Sequence, residues 1–154
     1  MNNSNNVLFL AVKQGDLEKF QNLLDDPEIR FNIYSNVLEG NNRGSVLHQE
    51  ASEGCFEMVK LLLESDADVS DTDCFEWTPL HSAVHMNRSE VVKILIIYGA
   101  DASAKPEETP LMVAAGFIRR KSPCQREMFL LLIDSGARVN DKYYSGTTAL
   151  HMAA

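Results

Sequence analysis

Apolar residues come along this chain in pairs of short clusters, and each pair predicts two helices packed against one another. In "TPLHSAVHMNRSEVVKILIIYGADAS" (78–103), Leu80 and Ala83 mark one helix, and Val91, Val92, Leu95 and Ile96 give the next a broad apolar face. Thr78-Pro79 and Thr109-Pro110 are helix starts: a hydroxyl at the N-cap, then proline at the first helical position, where no N–H is needed. Between the paired helices stand Gly15, Gly54 or Asn87, residue types that tolerate a left-handed backbone. The second helix stops at Gly99 or Gly136, with Asp66 taking that place in an earlier copy.

The pattern repeats. "SVLHQEASEGCFEMVKLLLESDADVS" (45–70) aligns without a gap on residues 78–103 at an offset of 33. Leu47 meets Leu80, His48 meets His81, Val59 meets Val92 and Asp68 meets Asp101. A further copy is "TPLMVAAGF" (109–117) with "REMFLLLIDSGARVN" (126–140), another begins at "TALHMAA" (148–154), and a degenerate one occupies 7–26. One such unit cannot bury its apolar face alone, so the copies must stack.

The 33-residue period, the T-P-L-H start and the G-A-D stop resemble ankyrin repeats across about residues 7–154. The resemblance implies an all-α repeat solenoid of stacked helix-turn-helix repeats with projecting loop or β-hairpin fingers. It implies one domain over 1–154, with repeats near 7–41, 42–74, 75–105 and 106–144 and a partial one at 145–154. It also implies a protein-binding concave face and no catalysis.

Departures from the period carry information. Leu8 to Leu47 spans 39 positions, which lengthens the first connection, and Thr78 to Thr109 spans 31, which trims the finger at "SAKPEE". Thr109 to Thr148 spans 39, and the extra residues fall in "IRRKSPC", predicting an exposed inserted loop. Glu50 stands where other copies have Ala11, Ala83, Ala114 and Ala153, a slot that needs a small side chain. Because the sequence ends inside a first helix, either a longer protein or a frayed last turn is expected.

Composition changes little. At 45% hydrophobic and 23% charged residues the chain is ordinary for a globular protein, with no run long enough for a membrane span and no basic leader. Cys55, Cys74 and Cys124 are far apart and make no CxxC, so neither a disulfide framework nor a zinc cage is expected, and the protein reads as reduced and cytoplasmic or nuclear. The net charge of -8 is uneven: residues 1–80 hold 5 Lys+Arg against 15 Asp+Glu, and 81–154 hold 9 against 7. The acidic half disfavours nucleic acid and membrane surfaces and favours a basic protein partner.

Candidate chemistry is sparse. His81 and His85 have the i, i+4 spacing of a zinc pair, but HSAVH lacks the glutamate of HExxH and a third ligand. His81 falls at the third helical position behind Thr78, where its ring can join a capping box, and His48 and His151 recur there, so scaffold is expected and no metal or cofactor. Ser122, after three basic residues in the inserted loop, is a candidate phosphorylation site. The partner-binding candidates are Phe75, Trp77, Tyr143 and Tyr144 on fingers, with Ser82, His85, Met86, Val113 and Phe117 on first helices, because they are expected to project from the core. The charge polarity resembles that of ankyrin inhibitors that mask the basic localisation segments of Rel-type transcription factors. An alternative comes from "EWTPLHSAVHMNRSEVVKILIIYGAD", which is similar to the nucleotide-sensing ankyrin region of the oligoadenylate-dependent ribonuclease. That likeness implies a ligand held by Trp77 and Lys105. A regulatory arm of a larger enzyme or channel is the third reading.

Overall fold

A computed structural model describes residues 11, 14, 16–26, 44–104, 108–118 and 123–154, with backbone alone at 117, 118 and 123–125. Lys105, Ser122 and the Phe117 side chain lie outside the described residues, as does the inserted stretch 119–122. Eight helices are described: α1 (Leu17–Leu24), α2 (Val46–Glu53), α3 (Phe56–Glu64), α4 (Pro79–His85), α5 (Ser89–Ile97), α6 (Pro110–Ile118), α7 (Pro123–Asp134) and α8 (Ala149–Ala153).

They form two layers. Helices α2, α4, α6 and α8 pack in series as an inner layer, while α1, α3 and α5 stack behind them. Each inner helix also packs on the outer helix that follows it in the chain, α2 on α3, α4 on α5 and α6 on α7. The core runs unbroken between the layers: Leu47, Leu80 and Leu111 from the inner helices meet Val59, Leu62, Val92, Leu95 and Leu132 from the outer ones, all buried. On the α5 face Ile94 is buried alongside Val91, Val92 and Leu95, while Ile96 only packs at the margin. No helix among the described residues is long and apolar enough to cross a membrane.

The left-handed stops are where the sequence puts them. Asp66, Gly99 and Gly136 end α3, α5 and α7 with φ of 67°, 91° and 90°, and Gly54 and Asn87 turn between paired helices at 86° and 57°. Gly54 has a second constraint: a Cβ there would come within 2.8 Å of Cδ of Arg88, whose Nε reaches back to donate to Ser52 O at 2.9 Å. The aspartates of the helix-stop segments make local turns, Asp68 accepting from the Ser70 N–H and Asp101 from the Ser103 N–H, each at 2.8 Å.

The fingers are tight turns. In one, Asp73 N–H donates to Trp77 O at 2.9 Å, and the Asp73 carboxylate accepts from the Phe75 and Trp77 N–H groups at 2.8 and 2.9 Å. In another, Tyr143 N–H donates to Thr147 O at 2.8 Å, and Lys142 and Thr148 form an isolated antiparallel bridge. Among the described residues the β-hairpin expectation reduces to that bridge, because each finger is too short for a ladder beyond its closing bonds.

Candidate partner-binding site

The histidine slot positions the fingers. Nδ1 of His81 accepts from the Thr78 backbone N–H at 3.1 Å and lies 2.8 Å from Thr78 Oγ1, completing a capping box. An N–H can only donate, so Nδ1 is unprotonated and the ring proton sits on Nε2. That Nε2 meets Glu108 O at 2.9 Å, in the following finger. His48 does the same one repeat earlier: Nδ1 serves Ser45, and Nε2 meets Trp77 O at 2.8 Å. Burial pushes both histidines below the ordinary imidazole value, His81 to about 4, so each stays neutral and keeps one accepting and one donating nitrogen. His151 keeps the capping half of this arrangement at an exposed position. With both ring nitrogens of His81 engaged, His81 is part of the scaffold.

Pinned in this way, the fingers bring their aromatics together. Phe75 and Trp77 from one finger and Tyr143 and Tyr144 from another line a single groove of about 760 Å³. His85 reaches the same groove from α4, and Glu76 and Glu108 line it too. Phe75 and Tyr144 are 70% and 80% exposed, so folding leaves their rings to solvent. Tyr143 and Tyr144 pack at 5.5 Å between ring centroids, tilted by 58°. Trp77 is different: half-buried against the core, it stacks on His81 at 5.9 Å and tilts against His85 at 5.4 Å. The indole is therefore partly scaffold, not a free finger residue.

The inner-helix candidates divide. Met86 is exposed and Ser82 half-buried, and neither lines the groove. Val113 is not available to a partner within this chain: it is 5% exposed and belongs to the core of α6, in a helix apolar on nearly every side. Spacing alone places it on the presented face, but it is buried in the core. The carboxylates Glu76 and Glu108 were missed. Their signal was available: Glu108 precedes Thr109 as Trp77 precedes Thr78, so the repeat register puts it beside the aromatic finger.

A stacked helix-pair solenoid, with fingers pinned from the preceding repeat and aromatics gathered along one edge, defines a binding module of the repeat class. The chain belongs to the ankyrin-repeat family: a profile of ankyrin repeats in three copies matches residues 8–106. Human protein phosphatase 1 regulatory subunit 27 is 33% identical over 109 residues, covering 70% of this chain and 67% of that protein. Mouse protein phosphatase 1 regulatory subunit 12A is 39% identical over 62 residues, 40% of this chain, and the match spans only 6% of that protein's length. The human Notch-regulated ankyrin repeat-containing protein is 33% identical over 87 residues, 56% of this chain and 74% of that protein.

Proposed function

We propose that this chain is a non-catalytic interaction module that takes a basic, apolar-dotted protein segment in the groove between its fingers. The observation that supports this reading most directly is the composition of that groove: Phe75, Trp77, Tyr143 and Tyr144 beside Glu76 and Glu108. Exposed aromatics are the usual anchors of an interface, and carboxylates next to aromatic faces favour a lysine or arginine side chain. Masking of a transcription regulator's basic localisation segment, in the cytoplasm or nucleus, is one form such binding takes. The same carboxylates count against a nucleotide at Trp77, since phosphate would meet Glu76 and Glu108.

A second reading follows from the relatives. Two of them carry the name of protein phosphatase 1 regulatory subunits, and on that reading the partner is the phosphatase itself. Affinity capture from cell extract tests both readings, with wild-type chain and a Phe75→Ala/Tyr144→Ala variant as parallel baits. Basic partners retained by wild type, lost by the variant and weakened by added salt support the groove. Identical captures on the two baits would remove it as the binding face. Phosphatase among the captured proteins, with altered activity when this chain is added, would favour the regulatory reading.

A further inference from the structure

Glu50 breaks the rule of its own slot. The equivalent residues Ala11, Ala83 and Ala114 are buried small side chains at the contact between neighbouring repeats, and Glu50, at 1% exposure, is buried as deeply. Its Oε1 has no hydrogen-bond partner among the described residues. The Cys55 thiol hydrogen-bonds to the Glu50 carboxyl, but a buried carboxylate oxygen left without a partner is still costly, which points to a missing cation or a further donor. The helix makes the cost worse. Glu50 and Glu53 occupy the last turn of α2, at the negative end of its dipole, and no basic residue stands in that turn.

We propose that Glu50, Glu53 and Cys55 form a binding site for a divalent zinc-class metal ion. One ligand atom from each, two carboxylate oxygens and the Cys55 sulfur, lie within 4.8 Å of one another. Tetrahedral zinc holds such oxygens and a sulfur about 3.5 Å apart, so closing on an ion requires a movement of roughly an ångström. Exposed Glu53 and half-buried Cys55 can supply it. Gln49 Nε2 donates to Glu53 Oε1 at 3.1 Å and orients that carboxylate from outside. The thiolate selects against magnesium and calcium, and two carboxylates with one thiolate suit zinc or cobalt with a fourth position open to water or a partner's side chain.

Charge supports the assignment. Two carboxylates and a thiolate carry three negative charges, a divalent ion leaves one, and Arg88, whose side chain lies over Gly54, offsets it. Binding would release the thiol proton of Cys55 to solvent as the sulfur–metal bond forms. The site is separate from the finger groove and does not rest on the groove's role.

The test uses untagged full chain in a Cys74→Ser/Cys124→Ser background, stripped with chelator and titrated with Co²⁺. One equivalent should produce a thiolate-to-cobalt charge-transfer band and tetrahedral visible bands, bleached by Zn²⁺, and excess Zn²⁺ should raise the Tm by on the order of 5 °C. Glu50→Ala restores the residue of the neighbouring repeats and should fold normally but lose the bands and the Tm shift. Cys55→Ser should lose them too, and Glu53→Gln, at an exposed position, should weaken binding at least tenfold. No cobalt band in the parent, or a band that survives Cys55→Ser or Glu50→Ala, overturns the proposal.

Discussion

Single residues in this protein answer to two opposed protonation demands. His81 is held neutral, with its pKa lowered to about 4, and Glu50, buried without a counter-charge, is raised to about 7. Between pH 4 and 6.5 the unfolded chain binds a proton at His81 that the folded chain refuses, so this group makes stability rise with pH. From pH 4.5 to 7 the folded chain holds a proton at Glu50 that the unfolded chain has lost, so this group makes stability fall. The windows overlap and the slopes offset each other. Glu50→Gln keeps the neutral form and removes one slope. In metal-free protein its stability relative to wild type should grow by up to about 3 kcal/mol between pH 4.5 and 8, read from urea midpoints at the two pH values. An equal difference at both pH values would mean that Glu50 ionises normally. His81→Ala should cost about 2 to 4 kcal/mol, since it removes both the cap and the bond to Glu108 and leaves a partly buried carbonyl unpaired. His151→Ala, at an exposed position, should cost about 0.5 kcal/mol, and equal costs in denaturant titrations would refute the pinning role.

At the level of elements, the helix pairs were legible and the fingers were not. Thr78-Pro79, Asn87 and Gly99 each state a local backbone requirement, so the caps, turns and stops of α4 and α5 follow from residue chemistry alone. Finger geometry depends on contacts between repeats, such as His48 Nε2 on Trp77 O, which no local pattern encodes. For the same reason Trp77 read as a projecting residue though it packs partly on the core, and Val113 read as presented though it is buried in the core. Glu76 carries a backbone cost. It sits at φ 60°, where the corresponding position of the later finger is Gly146 at φ 80°. A left-handed glutamate costs about 1 kcal/mol relative to glycine. Glu76→Gly should therefore stabilise the chain by roughly that amount in thermal or urea unfolding while weakening a basic partner. A destabilised Glu76→Gly would show that its carboxylate holds the turn together.

Across the whole molecule, the fold gathers at one groove residues that are far apart in sequence. The groove is lined by Phe75 and Trp77 from one finger and Tyr143 and Tyr144 from another, with Glu108 from the sequence between them. The acidic excess of residues 1–80 adds a long-range field of matching sign. Neighbouring residues of the groove differ in how they are held: Trp77 packs partly on the core, whereas Phe75 and Tyr144 stand clear of it. Trp77→Ala should accordingly lower both Tm and affinity, and so separates nothing. The direct measurement is a paired melt and titration of Phe75→Ala/Tyr144→Ala against a partner captured by the wild-type chain. The groove account predicts a Tm within a few degrees of wild type and affinity reduced at least tenfold, about 1.4 kcal/mol or more. Unchanged affinity at unchanged Tm would contradict it and place the binding face elsewhere on the solenoid.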